Sequence, residues 1–313
     1  MGRTIRFNDA ANRFTQGGSV QNTEVTLFMK GGKDIVILNR TDDFGGNNRV
    51  DAGAGNDAVH NLKEQGNIIL LGKGNDTYAG EGFGSFSTDR GDTVRGGDGN
   101  DTIAVSTFKS TYTGDKGNDL FISVGWQNTF IGGNGSDTIS YEARDHDTSL
   151  RGSGLTIDLQ AGKVQTGANR VEFVRQIENV IGTIGNDAIF GQSGANRLTG
   201  GEGFDQLTGR GGADTFVWRS HTEARVASNN IDIVMDFNRA QGDKIDLRGI
   251  DADPTRAGDQ AFTFIGDKAF TGAKGQLRFS DEILEGDRNG DGVMDFRIGL
   301  LGIDSMVARD ILL

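Results

Sequence analysis

Residues 96–140 read GGDGNDTIA, VSTFKSTYT, GDKGNDLFI, SVGWQNTFI and GGNGSDTIS, five nonapeptides laid end to end without remainder. Four more follow at 182–217: GTIGNDAIF, GQSGANRLT, GGEGFDQLT and GRGGADTFV. AGAGNDAVH (52–60) and LGKGNDTYA (71–79) fit the same template, G-G-x-G-x-D-x-U-x, where U is a large apolar residue. Self-similarity at a short fixed period is the mark of a solenoid, in which a unit buries its apolar side only against its neighbours.

Each position has its own physical reason. Glycine over positions one to four lets the chain turn through positive φ and approach the next coil closely. Aspartate at position six supplies a hard carboxylate oxygen suited to Ca²⁺. Position eight points inward from a short strand, as Val59, Tyr78, Ile103, Phe121, Ile139, Ile189, Leu198, Leu207 and Phe216 do. Two turn-plus-strand units make one coil of about eighteen residues, and stacked coils form two parallel sheets over a thin core. The predicted class is all-β: a parallel β-roll or β-helix solenoid with calcium-binding nonapeptide turns and a C-terminal β domain.

Alternate nonapeptides fall on opposite sides of such a roll. In the first block position six runs Asp101, Ser110, Asp119, Asn128, Asp137. Asp101, Asp119 and Asp137 therefore share one edge, extended by Asp57 and Asp76, while the other edge is neutral. One row of calcium is expected there, not two. In the second block Asp187 and Asp205 share one edge, and Asn196 and Asp214 the other.

Composition points to the same need for a cation. The 313 residues carry a net charge of −12, only 35% are hydrophobic, and 50 are glycine, which buries little area. Apolar burial alone is a weak driving force for such a chain. A single proline excludes collagen, and the absence of cysteine excludes disulfide scaffolds and thiol chemistry. The acidic balance argues against nucleic acid as a partner, and no run of some 18 apolar residues could span a membrane.

These units resemble those of the RTX (repeats-in-toxin) family of calcium-binding, type I-secreted bacterial proteins, over roughly residues 52–217. The resemblance implies that carboxylates and turn carbonyls of stacked coils together enclose each ion. Beyond the aspartates already named, it implies ligands from Gly96, Asp98, Gly99, Gly114, Gly117, Gly132, Asn134 and Gly135 in the first block. In the second it implies Gly182, Gly185, Gly200, Gly203 and Gly209. One ion per stacked aspartate pair gives roughly six or seven.

The regions outside the repeats divide at 1–50, a cap over 1–18 and a calcium-free start of the solenoid; 51–140, the first block; 141–181, a connecting segment; 182–222, the second block; and 223–313. In the first of these, EVTLFM (24–29) and DIVIL (34–38) read as strands, and GGNNRV (45–50) as a worn repeat. IDIVMDF (231–237) with GDKIDL (242–247) resembles the C-terminal region of serralysin-like RTX proteins. DRNGDGVMD (287–295) carries Asp287, Asn289, Asp291 and Asp295 at EF-hand-type spacing, but Ile298 stands where a bidentate Glu belongs. It is a candidate for one further calcium. The N-terminus lacks a secretory apolar stretch, whereas the closing ARDILL resembles the uncleaved signal of type I secretion substrates.

For activity there is no H-E-x-x-H and no G-x-S-x-G. The best catalytic candidate is the loop holding Tyr141, Glu142, Arg144, Asp145, His146 and Asp147, for which a solvated charged loop is the plainer reading. The expectation is a secreted, non-enzymatic calcium solenoid that folds outside the cell and serves at its surface or in a matrix, for instance as an adhesin. A polysaccharide-acting enzyme on the solenoid is the alternative, and a membrane-active protein comes third. Expected partners are calcium and the type I secretion machinery, with matrix polysaccharide and self-association as further candidates.

Overall fold

The computed structural model describes residues 2–40, 46–62, 65–81, 91–224 and 231–313. It divides into two compact units: residues 1–143 with 162–177, and residues 144–161 with 178–313.

In the first unit two parallel sheets run side by side. One stacks Arg3–Arg6, Val25–Phe28, Arg49–Asp51, Ile68–Lys73, Thr93–Asp98, Thr111–Lys116, Thr129–Asn134 and Arg170–Arg175. The other stacks Arg13–Thr15, Ile35–Leu38, Ala58–Leu62, Thr77–Glu81, Thr102–Val105, Leu120–Ser123 and Thr138–Ser140. Strands of consecutive nonapeptides alternate between the sheets, so residues 18 apart pair: Ile103 with Phe121, and Tyr112 with Phe130. The rungs begin at Arg3, inside the stretch expected to be a cap. The connecting segment also contributes, since Arg170–Arg175 pairs with Thr129–Ile131 and folds back as a hairpin on Lys163–Gly167.

The second unit repeats the plan. Thr156–Asp158, Ala188–Phe190, Gln206–Thr208, Asp232–Val234 and Phe296–Leu300 stack in parallel. Facing them are Asn179–Ile181, Arg197–Thr199, Thr215–Val217, Lys244–Asp246 and Ile311–Leu312. The strands Gln276–Ser280, Ile283–Asp287 and Phe296–Leu300 form an antiparallel meander.

Every inward residue named from position eight is buried. The first unit's core is aromatic, with Tyr112 stacked on Phe130 at 5.4 Å and Phe121 edge-on to Phe130 at 5.5 Å. Such ring pairs add to the area they bury, which matters in a core only two side chains thick.

Candidate metal centre

The turns are uniform along the first unit. At position four, Gly55, Gly74, Gly99, Gly117 and Gly135 all have φ between +132° and +148°, a region that excludes ordinary side chains. A Cβ on any of them would strike the carbonyl of the equivalent glycine one coil earlier, Gly32 through Gly117. The coils therefore pack backbone on backbone at this edge.

That packing aligns the position-six aspartates into a ladder. The Asp57 N–H donates to Asp76 Oδ1 at 2.7 Å, Asp76 to Asp101 at 2.8 Å, Asp101 to Asp119 at 2.8 Å and Asp119 to Asp137 at 2.8 Å. The ladder starts earlier than the repeat signature, because Asp34 N–H donates to Asp57 Oδ1 and Asn12 N–H to Asp34 Oδ1. One carboxylate oxygen per coil is thus used. The other, Oδ2 of Asp34, Asp57, Asp76, Asp101 and Asp119, is buried with no hydrogen-bond partner among the described residues.

A buried carboxylate oxygen without a donor is costly, and burial shows in the titration of Asp57, Asp76, Asp101 and Asp119. Loss of solvent holds Asp57 up at about 6 and Asp101 at about 7, with neighbouring aspartates of the row adding repulsion. Asp76 and Asp119 are raised for the same first reason.

Glycine at position one completes the cradle. A Cβ on Gly96 would come under 3.0 Å from Asp101 Oδ2 and the Gly114 carbonyl, and one on Gly114 equally close to Asp119 Oδ2 and the Gly132 carbonyl. Gly132 stands in the same relation to Asp137. Bare glycine thus leaves a pocket walled by carboxylate and carbonyl oxygens, the donor set of a hard cation. In the earlier coils Met29, Ala52 and Leu71 hold position one.

The opposite edge of this unit, expected to be neutral, holds the buried carboxylate of Asp92 in a row otherwise made of amides and the Ser110 hydroxyl. Asn48 N–H donates to Asn67 Oδ1, Asn67 to Asp92 Oδ1, Asp92 to Ser110 Oγ and Ser110 to Asn128 Oδ1, all within 2.9–3.1 Å. Asp92 Oδ2 accepts from Asn61 Nδ2 and the Tyr78 hydroxyl. Asn128 Nδ2 reaches Glu172, which also accepts from Ser123 and from the Tyr141 hydroxyl. Here side-chain N–H and O–H groups do what the aspartate row lacks.

In the second unit both edges carry aspartate. Asp187 N–H donates to Asp205 Oδ1 and Asp205 N–H to Asp232 Oδ1; across the roll Asn196 N–H donates to Asp214 and Asp214 N–H to Asp243. Oδ2 of Asp205 and of Asp214 is buried without a partner among the described residues. Burial holds Asp214 up at about 7 and raises Asp205, with Asp232 adding repulsion. Asp187 differs, since its Oδ2 accepts the Thr183 N–H at 2.7 Å.

The remaining sequence candidates lie elsewhere. Asp98 pairs with Lys116 at the surface, and Asn134 is the next rung's equivalent of Lys116. In the 287–295 loop the side chains turn onto backbone amides: Asp287 accepts from Gly290 and Gly292, Asp291 from Val293, and Asp295 from Arg288 and Asn289. Tyr141 is buried against Glu172, Asp145 accepts the Ile184 N–H, and Asp147 accepts from Ser149. Among the described residues no three His, Cys, Asp or Glu side chains gather to hold a metal ion, so a calcium site here must draw its remaining oxygens from backbone carbonyls.

Asp34, Asp232 and Asp243 escaped the repeat reading. Asp34 had a signal, with Gly32 at position four and Val36 at position eight. Asp232 and Asp243 kept only the apolar residue two places on, Val234 and Ile245.

Stacked parallel coils, glycine turns and a row of inward carboxylate oxygens define a metal-type β-roll. Residues 168–313 match the family model of the peptidase M10 serralysin C terminal, and residues 39–60, 86–104 and 127–143 match the RTX calcium-binding nonapeptide repeat. The chain belongs to the RTX family and has a serralysin-like C-terminal region. It is a type I-secreted, calcium-binding β-roll protein. No curated protein sequence matches it. Among solved structures it is similar to the extracellular lipase LipA of Serratia marcescens, at 15% identity and a TM-score of 0.22, with 90% of this chain and 45% of that one covered. The chain thus spans less than half the length of that lipase.

Proposed function

We propose that this protein is a secreted solenoid that completes its folding only when calcium reaches it outside the cell, and that its role there is structural, in a matrix or in adhesion. The observation that carries the reading is the row of buried Oδ2 atoms of Asp34, Asp57, Asp76, Asp101 and Asp119. In the second unit Asp205 and Asp214 add one such oxygen on each edge.

Bound calcium supplies positive charge and a full set of oxygen contacts at these points. The residues do the rest. Asp101, Asp119 and Asp137, with the carbonyls of Gly114 and Gly132, would hold it in the first block, and Asp205 and Asp214 in the second. The ladder bonds fix one carboxylate oxygen of each aspartate and so aim the other. Extracellular calcium modules bind at about 10⁻⁴–10⁻³ M, above cytosolic calcium, so the chain stays open for export and closes afterwards.

Support for the enzymatic alternative is weaker. Its acid–base candidate Tyr141 is fully buried and its hydroxyl is held by Glu172 at 3.0 Å. A circular dichroism titration tests the main reading: the β spectrum should grow with calcium and be incomplete in excess chelator. A complete β spectrum in excess chelator would overturn it.

A further inference from the structure

The nonapeptide register runs to Val217, so Trp218 falls on position one of the next unit, where Gly182, Gly200 and Gly209 stand in the units before it. Tryptophan is the largest residue that could replace a turn glycine. Trp218 is nonetheless buried, with 2% of its surface exposed. Its indole Nε1–H donates to Asp232 Oδ2 at 2.7 Å. Asp232 Oδ1 meanwhile accepts the Asp205 N–H at 2.9 Å, as every aspartate of the ladder does. Both oxygens of Asp232 are therefore satisfied by protein, whereas Asp205, one coil earlier, has an Oδ2 with no partner among the described residues.

We infer that Trp218 is a resident substitute for the cation: it closes the calcium row of this edge at Asp205 and keeps Asp232, a ladder aspartate, from serving as a ligand. The inference rests on the calcium reading above. Met29, Ala52 and Leu71 also replace glycine at position one, but they carry no side-chain donor, and the Oδ2 atoms of Asp34, Asp57 and Asp76 have no partner. The donor, more than the bulk, distinguishes Trp218.

The other edge ends by the same rule with a different donor. Asp243 Oδ1 accepts the Asp214 N–H, and its Oδ2 accepts the backbone N–H of Asn238 at 2.8 Å. Glu223, the other carboxylate near Asp205 and Asp232, is engaged by Arg219 at 2.8 Å. A row of cation sites needs an end that leaves no buried carboxylate exposed to its own charge, and a neutral N–H supplies one without a metal. In this unit both ends are built so.

Calcium per chain, measured by elemental analysis on the full-length protein after gel filtration in calcium, tests this. D205N should lose one ion relative to the unsubstituted protein. D232N should keep the full count while lowering the melting temperature, because its amide would face the indole donor. W218G should gain one ion. Loss of an ion in D232N, or a folded W218G with no gain, overturns the inference; if W218G does not fold, D232N decides. Should the unsubstituted protein hold no calcium, or D205N keep the full count, it is the calcium reading itself that fails.

Discussion

The backbone N–H of Asp101 donates to Oδ1 of Asp119, 18 residues further on, at 2.8 Å, while Oδ2 of Asp119 is buried with no partner among the described residues. One carboxylate thus does two jobs at once: a strand-to-strand bond and an outward call for positive charge.

Replacing Asp119 by Ala separates those jobs. In calcium the variant loses a ligand and leaves the Asp101 N–H without its acceptor, a loss of about 1–3 kcal/mol for the unpaired donor alone. In chelator part of that loss is returned, because a buried charge has also gone. Asn128→Ala, on the amide edge, should cost the same with and without calcium. Thermal melts of both variants in the two buffers check the contrast; equal calcium sensitivity would remove the distinction between the edges.

Proton binding should imitate the metal. The folded-state carboxyls of Asp57 and Asp101 are raised to about 6 and about 7, above the ordinary unfolded value of about 3.9. Between these values the folded roll binds more protons than the unfolded chain, so its stability falls as pH rises. The metal-free roll should therefore be most stable below about pH 4 and weaken through about pH 6–7. In saturating calcium the trend reverses, since protons compete for the same oxygens. Dichroism melts from pH 8 to pH 5, with chelator and with calcium, read both slopes.

Gly114→Ala places a methyl under 3.0 Å from Asp119 Oδ2 and the Gly132 carbonyl. Overpacking of this kind costs about 1–3 kcal/mol, and the calcium midpoint should rise with it. Gly194→Ala is the control, for its Cβ would meet nothing within 4 Å. That variant should stay within about 0.5 kcal/mol of the parent. A calcium titration that leaves G114A and G194A indistinguishable counts against the cradle.

At the far end Asp310 is fully buried and accepts Arg239 through both oxygens at 2.6–2.9 Å, one residue before the last rung, Ile311–Leu312. Arg239→Leu should cost more than Asp310→Asn, because it leaves a buried charge unpaired, a penalty of about 3–5 kcal/mol. Amide exchange at Leu247, whose N–H donates to Leu312, reports release of the tail.

Much of this was legible in the nonapeptides. Their 18-residue spacing predicts which strands pair, and the alternation of Asp119 with Ser110 and Asn128 predicts one aspartate row in the first unit. The ladder nevertheless outruns the signature at both ends. Glycine is required only where a coil turns tightly, whereas an aspartate needs no more than a neighbour's N–H, so Asp34, Asp232 and Asp243 continue the pattern with few or no glycines beside them. Glu172 had no local signal at all. It meets Asn128 from 44 residues away, through a hairpin that the repeat template does not contain.

The two margins of the first unit are fastened by different means, and this gives it a spine. Chelation takes the ion from one margin and leaves the side-chain stitching of Asn48, Asn67, Asp92, Ser110 and Asn128 in place. The roll should then part as a book does, along its fore-edge, baring Tyr78 and Phe121 to water before the binding gives way. Hydrogen exchange at limiting calcium should find the amides of Asp76 and Asp119 released first and those of Asn67 and Ser110 last; simultaneous release would show that the two margins part together.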